Sequence, residues 1–111
     1  MQTTTRRYER VSFLCKLEIQ PLPAGPVLSA RSLDLSLGGV GLLTKGVLPV
    51  GELISVSFFF KDSKQKDVVD SVMGKVVYVA ADTEANRIGV EFVEPLREET
   101  HPQLSRKLMS L

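Results

Sequence analysis

One cysteine, one histidine and no tryptophan occur among the 111 residues of this chain. With Cys15 alone, no internal disulfide can form, and Cys15 and His101 cannot supply the donor set of a structural metal site. An excess of charge of either sign is also missing. Lysine and arginine number 14 against 13 aspartates and glutamates, a formal net charge of +1. No global field therefore draws the molecule to nucleic acid or to a membrane, and any anion site must be local. Long apolar runs are absent too. The longest, around Val56 to Phe60, is strand-sized and far short of the roughly 18 residues of a membrane span. The first seven residues carry no apolar core behind the basic pair Arg6-Arg7, so they do not read as a signal peptide and a cytoplasmic location is expected. Catalytic patterns are lacking as well. No serine lies in a G-x-S-x-G elbow, no phosphate-binding loop of the G-x-x-x-x-G-K type occurs, and His101 stands between Thr100 and Pro102 without a partner base or acid. The sequence gives no reason to expect an enzyme or a metal.

What is present is a succession of strands. Hydrophobic residues make up 43% of the chain and charged residues 24%, ordinary for one globular domain of this length. Residues 1–10 are polar and rich in threonine and arginine, which predicts a flexible arm ahead of a domain at 11–111. From Val11 the spacing becomes strand-like. Val11, Phe13, Cys15, Leu17 and Ile19 share one face, so Cys15 is expected as a buried strand residue. Pro21, Pro23, Gly25 and Pro26 break the pattern. Further strands are expected at Val27–Leu33, Val40–Thr44, Leu53–Phe60, Val68–Val79 and Arg87–Val93. A glycine-rich corner is expected at Asp34–Gly41, and turns at Lys61–Asp67 and Asp82–Asn86. Six strands at this spacing predict a closed or nearly closed antiparallel barrel, which also hides the edges of its apolar strands. Leu104, Leu108 and Leu111 recur at helical spacing, and Thr100 with Gln103 resembles a capping box. These predict one short C-terminal helix.

Two clusters stand out chemically. Arg6-Arg7-Tyr8-Glu9-Arg10 places three arginines in five residues just before the first strand. The guanidinium fork grips phosphate at two points and stacks on base faces, and in an extended arm Arg6 and Arg10 fall on one side. In Asp34-Leu35-Ser36-Leu37-Gly38-Gly39, Asp34 and Ser36 share a face. Aspartate can accept from a guanine edge. Serine can donate to phosphate or brace the turn. Gly39 allows close approach of a ligand or a backbone, or a positive φ.

Arg6-x-x-x-Arg10 followed by Asp34-x-Ser36-x-x-Gly39 resembles the paired RxxxR and (D/N)xSxxG signature of PilZ domains. Ile88-Gly89-Val90-Glu91-Phe92 resembles the Gly-Val-x-Phe strand near their end. The likeness spans roughly residues 5–110. It implies an all-β fold, a six-stranded antiparallel PilZ-like β-barrel with one short C-terminal helix, and a receptor for the bacterial second messenger cyclic di-GMP. By that resemblance Arg6 and Arg10 would grip phosphate and stack on guanine, with Arg7 a neighbouring donor. Asp34 and Ser36 would hold the guanine edge and the ligand backbone, and Gly39 would permit the close turn. The ligand would pin the arm against the Asp34–Gly39 corner and change the surface seen by a downstream protein partner. No cofactor beyond this ligand, no nucleic acid and no membrane insertion are expected, and the chain is expected as a monomer or weak homodimer. Two other readings stay open. One is a PilZ adaptor that works without nucleotide. The other is a small barrel binding single-stranded nucleic acid, which the near-neutral charge and sparse aromatics disfavour.

Overall fold

The computed structural model describes residues 8–81 and 83–111. Seven strands and one helix follow in chain order: β1 Val11–Ser12, β2 Lys16–Pro21, β3 Leu28–Leu35, β4 Gly39–Thr44, β5 Leu53–Lys61, β6 Asp67–Ala81, β7 Asn86–Phe92 and α1 Pro102–Ser110. The sheet order is β1-β3-β2-β5-β6-β7-β4, every pairing is antiparallel, and β4 pairs back onto β3. That last pairing closes β2 to β7 into a six-stranded barrel, with β1 as a short extra strand on β3. The expected barrel and C-terminal helix are both present.

Alternation along the strands fills the interior. Leu17 and Ile19 of β2, Leu42 of β4, Ile54, Val56 and Phe58 of β5, and Ile88 of β7 are wholly buried. Phe58 meets Phe92 edge to face at 6.3 Å between ring centres, and Phe13 meets Phe60 in the same way at 5.8 Å. Such pairs contribute beyond their buried area. Leu104 of α1 is fully buried and joins this core. Leu111 lies beyond the helix and is exposed, so the third leucine of the expected helical stripe does not pack.

The expected first strand, Val11 to Ile19, is broken in two. Ser32 of β3 is the physical cause. Its hydroxyl donates to the Phe13 carbonyl at 2.6 Å and accepts from the Cys15 amide at 2.9 Å. The Ser32 side chain thus supplements the two backbone bonds that remain here, from the Phe13 amide to the Leu33 carbonyl and from the Ser32 amide to the Cys15 carbonyl, and the register of β3 against β4 shifts between Ser32 and Asp34. Cys15 is only half-buried but packs on the core. Burial pushes its thiol above the ordinary value of 9.0, and a hydrogen bond from Ser32 opposes the shift.

Two other boundaries differ from expectation. Asp34 and Leu35 belong to β3, because they pair with Ser12 and Val11 on one side and with Gly41 and Val40 on the other. The corner shrinks to Ser36–Gly38. The helix start also differs. His101 is the N-cap residue and makes no side-chain capping bond, and Pro102 opens the helix, where its missing N–H costs nothing. The cap comes from far along the chain. Asp70 of β6 accepts from the Leu104 amide at 3.1 Å, placing an anion at the positive end of the helix. Nε2 of His101 lies 3.1 Å from the Ser71 carbonyl and ties the same junction.

Asp70→Ala is therefore expected to lower stability by about 1 kcal/mol and the melting temperature by roughly 4 °C, with Asp70→Asn losing less; thermal denaturation followed by circular dichroism measures it. Because the folded thiol titrates above the unfolded one, the stability that Cys15 contributes is complete below the unfolded value near 9.0 and falls as pH rises past it. Iodoacetamide labelling of Cys15 should accordingly be slow in the native protein and fast in urea.

Candidate functional site

Barrel closure sets the two sequence clusters side by side. The chain enters β1 from Tyr8-Glu9-Arg10, and β1 lies on the end of β3 that carries Asp34. Nη1 of Arg10 donates to Oδ1 of Asp34 at 2.8 Å. The same oxygen accepts from the Gly41 amide of β4 at 3.1 Å. One carboxylate oxygen thus joins the incoming segment, β3 and β4. The pair is part-exposed, 22% for Arg10 and 36% for Asp34, so it adds at most about 1 kcal/mol to stability and acts chiefly by fixing Arg10 in place.

Ser36 is almost fully buried. Its amide donates to the Gly39 carbonyl at 2.9 Å, and its hydroxyl accepts from the Gly38 amide at 3.1 Å. Here serine braces the corner. The Gly38 carbonyl accepts from the Phe92 amide at 2.8 Å, which fastens the corner to β7. The two glycines do different work. A Cβ on Gly38 would lie 2.6 Å from Cδ2 of Tyr8, so the bare position makes room for the tyrosine ring. A Cβ on Gly39 would collide with the Val90 carbonyl oxygen. Gly39 thereby lets β4 and β7 come together, by close backbone approach and without a positive φ.

Around these residues lies a cleft of about 500 Å³. Tyr8, Arg10, Gly38, Gly39, Val77, Glu91 and Val93 are among its lining. Ser36 also reaches its lining. Among the described residues its charged side chains are Arg10 and Glu91. The sequence clusters gave Arg10, Ser36 and Gly39 in this lining, with Asp34 behind Arg10. Arg6 and Arg7, and with them most of the expected arm, lie outside the described residues. Tyr8 and Glu91 were not among the expected site residues. Tyr8 had a signal, an aromatic set between two arginines. Glu91 had one only in hindsight of the pairing, which puts it opposite Gly39. No group of three or more histidine, cysteine, aspartate or glutamate side chains is arranged to hold a metal ion among the described residues. Among the described residues no helix is long and apolar enough to cross a membrane.

The PilZ domain profile matches residues 4–110. Among solved structures, the chain is similar to the PilZ domain of YcgR from Escherichia coli determined with c-di-GMP, at 22% identity and a TM-score of 0.73 over 97% of this chain and 92% of that one. It is also similar to YcgR from the same organism in complex with c-di-GMP, at 27% identity and 0.66, covering 95% of this chain and 45% of that one. A third is the Bacillus subtilis inhibitor of motility MotI/DgrA, at 16% identity and 0.74, covering 97% and 52%. The chain thus spans about half of MotI and less than half of the longer YcgR chain. A sequence search of curated proteins finds no match.

Gly39→Ala should shift the urea midpoint downward by the equivalent of about 1–3 kcal/mol, since the strand pairing must give way to the new methyl group. Gly51→Ala, at an open turn glycine with φ of +95° and nothing within 4 Å of the added carbon, should cost only its backbone strain, about 1 kcal/mol.

Proposed function

The chain belongs to the PilZ domain family, and from that premise we propose that it is a receptor module for cyclic di-GMP that passes the level of this messenger to a downstream protein. The observation that carries the reading is the meeting of the two motif halves: Arg10 is locked on Asp34 at the mouth of a cleft that Ser36 and Gly39 help to line. The ligand is a dianion with two flat bases. Arg10 has spare N–H donors once one is given to Asp34, and Tyr8, its ring against Gly38, lines the same cleft. Arg6 and Arg7 are assigned to the phosphates, which need more positive charge than Arg10 alone supplies. Asp34 is assigned first to hold Arg10 and second, through Oδ2, to meet a guanine edge. Ser36 and Gly39 shape the floor that the ligand crosses.

With Tyr8 and Arg10 already seated on the barrel, the bound nucleotide is proposed to bridge Arg6 and Arg7 of the arm to the cleft, so that arm and cleft present one new surface to a partner. The family likeness also supports a receptor or adaptor in place of an enzyme, acting in the cytoplasm of a bacterium. YcgR is the similar protein seen with c-di-GMP, and MotI is described as an inhibitor of motility. Control of motility, pili, exopolysaccharide or virulence is the corresponding range of processes here. A PilZ adaptor that works without nucleotide is the second reading, favoured by the ion pair that already occupies Arg10 and Asp34.

Titration calorimetry decides between them. Cyclic di-GMP should bind saturably with a Kd on the order of micromolar, Arg10→Ala should weaken it by roughly tenfold or more, and GTP should not substitute. Absence of heat and of any thermal shift at high ligand would move the function to the nucleotide-independent adaptor.

A further inference from the structure

A carboxylate in this cleft needs an explanation. Glu91 lies on β7 between Val90 and Phe92, which face the core, so its own side chain points outward and is exposed. Its cross-strand neighbours are Gly39 on β4 and Lys75 on β6. Gly39 has no side chain, so a strip of bare backbone adjoins the carboxylate on the cleft side. Among the described residues Glu91 makes no ion pair and no side-chain hydrogen bond. Lys75, though its neighbour, does not pair with it within 4.0 Å. Asp34 differs: its Oδ1 already serves both Arg10 and Gly41.

Glu91 therefore brings two open acceptor oxygens and a negative charge into a cleft assigned to a ligand with two phosphates. Toward phosphate that charge is only repulsive. It becomes favourable where it meets a pair of donors. Guanine presents such a pair on its Watson–Crick edge, N1–H and the N2 amino group, and an ionised carboxylate is acceptor-only and accepts from both. Adenine presents one donor and one acceptor on that edge, so its N1 lone pair would face a carboxylate oxygen.

Resting on the cyclic di-GMP reading, we propose that Glu91 reads the Watson–Crick edge of one guanine and makes the cleft selective for guanine over adenine in a cyclic dinucleotide. The discrimination comes from donor and acceptor matching: guanine gives the carboxylate two donors, whereas adenine sets a lone pair against one of its oxygens. Phosphate grip and base identity are then separate tasks: arginines for the first, Glu91 for the second.

The test is calorimetric titration of the wild-type protein and of Glu91→Gln and Glu91→Ala with cyclic di-GMP and cyclic di-AMP at one salt concentration. An exposed outward side chain makes both variants expected to fold, which their melting curves check. Wild type should prefer cyclic di-GMP. Glu91→Gln should weaken cyclic di-GMP by roughly tenfold or more and strengthen cyclic di-AMP, because an amide offers the donor and acceptor that adenine matches. Glu91→Ala should narrow the preference without reversing it. Variants that bind both nucleotides with a common change in affinity, or with none, overturn the role of Glu91 and leave the receptor reading standing. A wild-type protein that binds neither nucleotide overturns both.

Discussion

Oδ1 of Asp34 takes one hydrogen bond from Arg10 and another from the Gly41 amide, and the arrangement of the cleft depends on that double use. The carboxylate sits where β3 changes partners, leaving β2 for β1 on one edge while β4 stays paired on the other. Arg10 comes from the incoming chain, Gly41 from the strand that closes the barrel. A side chain without an acceptor oxygen at position 34 would leave the guanidinium to water and the start of β4 without its brace. In free-energy terms a part-exposed pair is modest. Its importance is geometric, because a guanidinium held in one place loses less freedom when it later meets a ligand.

Closure does the rest. β4 is hydrogen-bonded to both β3 and β7, and Gly39 permits this by leaving space for the Val90 carbonyl. The same contact brings Glu91 across from the corner that Ser36 braces. Core and cleft are thus two faces of one strand alternation: Val90 and Phe92 fill the interior while Glu91 is exposed between them. With Arg10 and Glu91 as its described charged side chains, the cleft has no strong field of its own. A dianionic ligand would need the arginines of residues 6 and 7, and the arm is accordingly assigned a share of the affinity.

Much of the barrel was legible in the sequence because strands with one buried face advertise a period of two, and proline, glycine and charged turns separate them. What escaped depends on partners distant in the chain. No local pattern reveals that the Ser32 hydroxyl will reach both the Phe13 carbonyl and the Cys15 amide and interrupt the regular pairing there. Nor does Thr100 with Gln103, a plausible capping pair, show that Asp70, on a strand some thirty residues earlier, will cap the helix instead. The motif residues were found by spacing and by resemblance. Tyr8 and Glu91 were missed because their place in the cleft follows from the pairing of β4 with β7 and from the seating of Tyr8 on Gly38. Ser36 and Gly39 proved to have structural tasks beside any binding role, since each is part of the corner's own hydrogen bonding or strand contact.

The central claim is that the nucleotide binds where the two motif halves meet, and backbone amide shifts during a cyclic di-GMP titration address it most directly. The account predicts large, saturable changes at Arg10, Gly38, Gly39 and Glu91, with the Lys61–Asp67 hairpin end and the last turn of α1 undisturbed. Changes concentrated in that hairpin and helix, or none anywhere at high ligand, would contradict it.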